Sequence, residues 1–248
     1  MLISFAKLSL TGMLFLVTSM PVYALPELVF RATGKIDDPE SVKRANGLYA
    51  RGIDGSRRRQ PPPNISLFDH ATGALTGTSR ADSGYVSTTR LRRFAFSFLS
   101  RYMGNNGYIY HIRPSPNFYD VNGTLGRFSP HPPEQEFAAL GHIEFNQIIG
   151  WETVNNGVSA GFINNPDYRE RLYSPVPTND GIEYRLAGFP PNHIAWTREP
   201  WRSESPCSSQ GSPIRSTDTC DKNSAHTIGE DAFHRHYKLK VSRQLNFF

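Results

Sequence analysis

At 248 residues, with 38% hydrophobic and 20% charged side chains, the chain has the make-up of a soluble globular protein, with room for one sizeable domain and an appendage. Its 27 Lys and Arg outweigh 22 Asp and Glu to give a net charge of +5, a balance compatible with nucleic acid or an anionic membrane as partner. The placement argues against both: the densest basic run, Arg57-Arg-Arg59, leads into Pro61-Pro-Pro63 with no interleaved aromatics, so it reads as a solvated loop and no nucleic-acid partner is expected.

The first 24 residues differ from the rest. Lys7 supplies a positive end, Leu8 to Val17 is mostly apolar, and Val22-Tyr-Ala24 has the small-x-small form of a cleavage site relaxed at its first position. Pro21 interrupts the run before the roughly 20 apolar residues that a membrane span needs. A signal peptide over 1–24, cut after Ala24, and a secreted product are expected.

Leu28-Val-Phe30 reads as a short strand running into Arg31. Pro39 to Ala45 reads as a helix with Asp38 as its N-cap and Pro39 in its first turn. Residues 46–66, with Gly47, Gly52, Gly55 and three consecutive prolines, read as irregular, and a loop of that length suggests a lid or a disordered segment. Leu91 to Met103 carries Leu91, Phe94, Ala95, Phe98, Leu99 and Tyr102 at three- and four-residue steps, which predicts a helix whose stripe packs on a sheet. Gly107 to Ile112 predicts a strand with Tyr108, Tyr110 and Ile112 on one face and Ile109 and His111 on the other. From 164 to 206, irregular packing around Trp196 and Trp201 is expected.

Cys207 and Cys220 are the only cysteines. In an exported protein they are expected to form one disulfide, worth about 3 kcal/mol by loop-closure arithmetic. The polar loop they close contains Arg215, a natural point for proteolytic nicking that leaves the pieces joined. Glu230 to Leu245 then reads as a basic amphipathic helix with Phe233, Tyr237, Val241 and Leu245 at steps of four. The domain reading is therefore 1–24 signal, 25–206 principal domain, 207–220 disulfide-closed loop and 221–248 helical tail.

Neither GxGxxG nor a Walker motif is present, and no residues have metal-ligand spacing, so the metal expectation is none. The chemistry-bearing feature is Ser129-Pro-His-Pro-Pro-Glu-Gln-Glu136, in which Glu134 and Glu136 stand one residue apart just before Phe137-Ala-Ala-Leu140. Such a pair suits a reaction in which one carboxylate steadies a positive sugar while the other serves a nucleophile. Taken alone, it is equally two solvated glutamates at a helix start.

Leu67-Phe-Asp-His-Ala-Thr-Gly73, Gly84-Tyr-Val-Ser-Thr-Thr89, Asp120 to Glu136, Ile148-Ile-Gly-Trp151 and Leu186-Ala-Gly-Phe-Pro-Pro191 together resemble the A chain of the cholera toxin and heat-labile enterotoxin family. The resemblance runs in the same order from about Arg31 to Cys220. It implies an α+β ADP-ribosyltransferase fold, with two small, mostly antiparallel sheets around an NAD cleft, short flanking helices and a C-terminal linker helix. It implies an enzyme that moves ADP-ribose from NAD, its co-substrate, to an arginine of a host protein, the stimulatory G-protein α subunit, raising cyclic AMP. It also implies a pentameric receptor-binding B subunit engaged through the C-terminal helix.

Roles carry over by position. Arg31 matches the arginine that grips an NAD phosphate, a task suited to a guanidinium fork. Ser87 matches the serine that braces the cleft, and His70 a histidine with a supporting, cofactor-contacting role. Glu136 matches the catalytic glutamate, which binds the 2′-hydroxyl of the nicotinamide ribose and stabilises the oxocarbenium ion. Glu134 matches the residue that orients the acceptor guanidinium and takes its proton. Ala32, Thr33 and Gly34 are expected beside NAD.

The chain departs from that pattern in three places. Arg31-Ala-Thr-Gly34 stands where the family has Arg-Ala-Asp-Ser, the stretch Ile53 to Pro63 is unlike the family's gating loop, and the tail ends at Asn246-Phe-Phe248 with no retrieval signal. An NAD glycohydrolase and a catalytically degenerate interaction protein on the same scaffold are the alternative readings.

Overall fold

The computed structural model describes residues 25–53, 63–73, 79–174, 180–190 and 192–204. In it the β-rich runs of the sequence pair into two antiparallel sheets of unequal size. The elements in chain order are β1 (Val29–Thr33), α1 (Pro39–Arg44), β2 (Gly47–Tyr49), α2 (Leu67–Thr72), β3 (Tyr85–Thr89), α3 (Arg92–Tyr102), β4 (Gly107–Ile112), β5 (Phe118–Asp120), α4 (Val121–Leu125), β6 (Glu136–Leu140), β7 (His142–Glu144), β8 (Ile148–Asn155), β9 (Val158–Asn164), α5 (Glu170–Tyr173) and α6 (Trp201–Glu204). The larger sheet has the order β5-β6-β3-β1-β4-β8-β9, and β2 pairs with β7 in the smaller one.

Strand alternation sorts the core onto two faces of the larger sheet. On one face Val29, Val86, Tyr110, Ile112 and Phe137 pack with Val42 of α1, Leu48 of β2 and Ile143 of β7. On the other, Tyr85, Ala138 and Leu140 pack against Leu67 of α2, Val121 and Leu125 of α4, Phe189 and Trp201. Farther along that second face, Ile109 and Val154 meet Ala95 and Leu99 of α3. The faces expected for β4 are those found; of the stripe expected on α3, Ala95 and Leu99 pack on the sheet, whereas Phe94 and Phe98 reach the cavity wall and Tyr102 is exposed. Arg92 ties the start of α3 to β8 through both carboxylate oxygens of Glu152, which also meets His111 Nε2 at 2.8 Å and Ser159 Oγ at 2.6 Å.

Local capping chemistry sets the helix boundaries. Asp38 accepts the Ser41 N–H at 2.8 Å and Pro39 opens α1, as its sequence requires. The three-residue strand β2 lies inside the stretch read as irregular. Gly47-Leu-Tyr49 is too short to show a two-residue period, and its strand character comes from register with β7, Gly47 opposite Glu144 and Tyr49 opposite His142.

The sheet is interrupted between β1 and β3. Strand β1 pairs with β4 at five positions, from Val29↔Ile112 to Thr33↔Tyr108, but with β3 only at Phe30↔Thr89. Beyond that point the Arg31 guanidinium crosses the gap, and Nη1 donates to the Ser87 carbonyl at 2.7 Å. A side chain thus replaces the missing ladder bond.

Helix α2 is fixed by its cap. The Ser66 hydroxyl accepts the Asp69 N–H at 3.0 Å and donates to the Gly188 carbonyl at 2.8 Å. Gly188 has φ +61°, and a Cβ there would lie 2.5 Å from Ser66 Cβ. Gly188→Ala is therefore expected to cost about 3 kcal/mol through left-handed strain and a displaced cap. In a thermal melt the midpoint should fall by about 6–12 °C, and an unchanged midpoint would show that α2 is anchored otherwise.

The expected signal peptide, Cys207, Cys220, Arg215 and the 221–248 tail lie outside the described residues, as do residues 54–62 of the loop that departs from the family pattern. Among the described residues, no helix is long and apolar enough to cross a membrane.

Candidate active site

A cavity of about 870 Å³ opens where β1 and β3 part, and Arg31, His70, Ser87, Glu134 and Glu136 all line it. Ligand sites for small molecules typically span about 300–1,000 Å³. Ala32 and Gly34 also reach the wall, whereas Thr33 does not. The turn Lys35–Asp37 folds over Thr33, which is 1% exposed and whose hydroxyl donates to the Asp37 carbonyl at 3.3 Å.

The two glutamates come together through an unusual backbone. Pro132–Glu134 forms a single 3-10 turn, Gln135 takes the left-handed conformation at φ 45° and ψ 52°, and Glu136 begins β6. A non-glycine residue there costs roughly 1–2 kcal/mol, so the surrounding bonds must hold it. Thr89 Oγ1 donates to the Glu134 carbonyl at 2.6 Å and itself accepts the Leu91 N–H. The Arg90 N–H donates to the Gln135 carbonyl at 3.2 Å, and Asn122 Nδ2 donates to the Pro132 carbonyl at 2.9 Å. The end of β3 and the start of α4 therefore pin the turn from both sides.

Register brings Ser87 and Glu136 close. Ser87 faces Ala138 and Thr89 faces Glu136, which makes Ser87 and Glu136 diagonal neighbours on one face of the sheet. His70, presented by α2 and 4% exposed, places Nε2 2.9 Å from Glu136 Oε1 and 3.1 Å from Ser87 Oγ. Its Nδ1 lies 2.7 Å from Ser83 Oγ.

These surroundings drive the two carboxyl groups apart electrostatically. Burial works to raise the Glu136 pKa, but the His70 imidazole, the Ser87 hydroxyl and the Arg31 guanidinium outweigh it and hold Glu136 below the usual carboxylate range. Glu134 has the opposite balance: burial, then repulsion from Glu136, push its pKa up to about 7 against a smaller opposing pull from His70. Two carboxyls with separated pKa values are the mark of an acid–base or charge-stabilising pair. The Arg31 cation is half-buried, burial lowers its pKa against the opposing pull of Asp37 and Glu136, and its Nε has no hydrogen-bond partner among the described residues. Such a group can still serve an anion.

Asp37, Arg51 and His131 also line the cavity but were not selected from the sequence. Asp37 and Arg51 stand in no motif, and His131, although inside the Ser129–Glu136 segment, was given no role; the folded turn after β1 and the 3-10 turn before Glu134 bring Asp37 and His131 to the wall. Among the described residues, no group of three or more His, Cys, Asp or Glu is placed to hold a metal ion.

The chain as a whole is similar to known proteins. The heat-labile enterotoxin A chain of Escherichia coli is 40% identical over 247 residues, covering 96% of this chain and 92% of that protein. An NAD(+)–arginine ADP-ribosyltransferase, Chelt, of Vibrio cholerae is 40% identical over 204 residues, covering 80% of this chain and 33% of that protein. A solved heat-labile enterotoxin double mutant superposes with a TM-score of 0.69 at 41% identity, covering 88% of this chain and 93% of that one. The family described as heat-labile enterotoxin alpha chain matches residues 10–248, and this chain belongs to it.

Proposed function

We propose that the chain is the enzymatic subunit of a secreted toxin and transfers ADP-ribose from NAD to an arginine side chain of a host protein. The observation that carries this reading is the meeting in a single cavity of two carboxyls whose pKa values are driven apart, Glu136 downward and Glu134 up to about 7, with the half-buried Arg31 cation.

In this mechanism Arg31 binds a phosphate of NAD and fixes the dinucleotide across the β1–β3 gap. Glu136, steadied by His70 and Ser87, accepts the 2′-hydroxyl hydrogen bond of the nicotinamide ribose. As the bond from ribose to nicotinamide breaks, the Glu136 charge stabilises the positive sugar. The guanidinium of the acceptor then attacks that carbon. Free arginine is protonated up to about pH 12, so it must lose a proton as the new C–N bond forms, and Glu134 accepts it. A base with a pKa near the working pH is suited to that step.

The finer assignments extend the same reading. The stimulatory G-protein α subunit is the acceptor and elevated cyclic AMP the outcome. Cleavage after Ala24 releases the mature protein, nicking at Arg215 activates it while Cys207–Cys220 joins the fragments, and the 221–248 helix carries a pentameric B subunit. The sequence features that support these are the apolar leader, the paired cysteines and the basic amphipathic tail.

The test is incubation of the nicked, reduced protein with NAD labelled in its adenine half and either a small guanidine or a host membrane fraction. Label on the guanidine is the expected result. Nicotinamide release without labelled acceptor identifies a glycohydrolase, and absence of both identifies a binding protein. The pH profile gives a second check. Transfer should rise through a single ionisation centred near pH 7, because Glu134 must be ionised to accept the proton. A profile flat from about pH 5.5 to about pH 8.5 would remove Glu134 from the base role.

A further inference from the structure

We infer that Ser83 is a positioning residue for this reaction: its hydroxyl holds the His70 imidazole in the tautomer and orientation that present the Nε2 hydrogen to Glu136. This rests on the reading of Glu136 as the carboxylate at the ribose.

The Glu136 carboxylate is an acceptor only, so the hydrogen in the 2.9 Å contact resides on His70 Nε2. In the neutral ring Nδ1 is then an acceptor, and the group facing it must supply a hydrogen. Ser83 Oγ is 2.7 Å away and already accepts the Tyr85 N–H at 3.2 Å, which leaves its own O–H for Nδ1. The chain of donors therefore runs in one direction, from the Tyr85 amide through Ser83 and His70 to Glu136.

The position of Ser83 does not depend on His70. Its N–H donates to the Arg80 carbonyl at 3.1 Å, and its carbonyl accepts the Gly52 N–H at 2.8 Å. The flanking residues are held too, with the Asn64 N–H on the Asp82 carbonyl at 2.7 Å and the Gly84 N–H on the Asn64 carbonyl at 2.8 Å. Ser83 is 2% exposed and does not line the cavity, so it can act on the reaction only through His70. Without the hydroxyl, Nδ1 becomes a buried acceptor with no donor, and the ring is free to turn or to exchange tautomer, which withdraws the hydrogen bond from Glu136.

The test compares Ser83→Ala and Ser83→Thr in the full chain, each alone and with His70→Ala. Glycohydrolysis and transfer to a small guanidine are measured as kcat and KM separately. Ser83→Ala should lower kcat for both reactions by about tenfold with KM for NAD within about twofold, and Ser83→Thr should restore it. In the His70→Ala background Ser83→Ala should cause no further loss, because the two residues act as one unit. Nitrogen NMR of the unmodified protein should show His70 bearing its hydrogen on Nε2, a readout independent of variant folding. Wild-type kcat in Ser83→Ala, the same tenfold loss in the His70→Ala background, or a ring bearing the Nδ1 hydrogen, alone or together with the Nε2 hydrogen, would overturn the proposal. Failure of the parent reading has a different signature, namely full turnover in Glu136→Gln whatever Ser83 does.

Discussion

Glu136→Gln is expected to reduce transfer and NAD hydrolysis together, each by about 10²–10⁴-fold, in a protein that still unfolds cooperatively. The amide has nearly the shape of the carboxylate and keeps an oxygen for the His70 Nε2 hydrogen at 2.9 Å, so the substitution removes charge more than geometry. Both reactions pass through the same positive sugar, and the lost charge is felt before an acceptor is involved. The variant should also be less stable at neutral pH. A carboxylate with a depressed folded pKa contributes stability above its unfolded pKa, about 4.3, and that contribution disappears as pH falls through the folded value. The gap between the two melting midpoints should therefore be open at pH 7 and closed under strongly acid conditions. A variant that loses hydrolysis but keeps transfer, or the reverse, would separate two steps that the mechanism joins at Glu136.

Where a local rule sets the structure, the chain could be read directly. The Asp38-Pro39 start of α1, the two faces of β4 and the apolar stripe of α3 each follow from neighbours within four residues, and each was anticipated with boundaries within about two residues. Strand β2 was missed because three residues carry no period of their own and take their conformation from β7, far along the chain. The cavity residues were legible as motifs, but what joins them was not. His70 and Glu136 are 66 positions apart, and their 2.9 Å contact comes from α2 being set against the β3–β6 ladder by the Ser66–Gly188 and Phe68–Ala187 bonds and the packing of Leu67. Thr33 shows the converse. The family resemblance placed it beside NAD, whereas a turn invisible in the alternation of β1 closes over it and takes its hydroxyl. Ser83 carries no motif of its own and becomes significant only once His70 is seen to need a donor on its far nitrogen.

Glu134→Gln should part the two reactions that Glu136→Gln removes together. Transfer to arginine is expected to fall by about 10²–10³-fold, whereas NAD hydrolysis should fall by less than about tenfold. Water needs no carboxylate to orient a planar guanidinium and can shed its proton to solvent, whereas an attacking arginine is oriented by the Glu134 carboxylate, half-buried at the cavity wall, and gives its proton to it. The same variant should be more stable than the parent in alkaline buffer, the opposite of Glu136→Gln. With a folded pKa of about 7, above the unfolded value of about 4.3, Glu134 binds more protons folded than unfolded between those limits. Its stabilising balance is complete below the lower limit and is lost as pH rises through the upper one. Glutamine carries no such penalty. Allowing for the screening that a half-exposed carboxyl retains, the gain at pH 8 is about 1 kcal/mol, or about 2–4 °C in the melting midpoint. Paired melts at pH 5 and pH 8, both in the parent and in the variant, measure it. Equal loss of transfer and hydrolysis would make Glu134 part of the bond-breaking step, and an unchanged midpoint at pH 8 would show that its carboxyl ionises without strain.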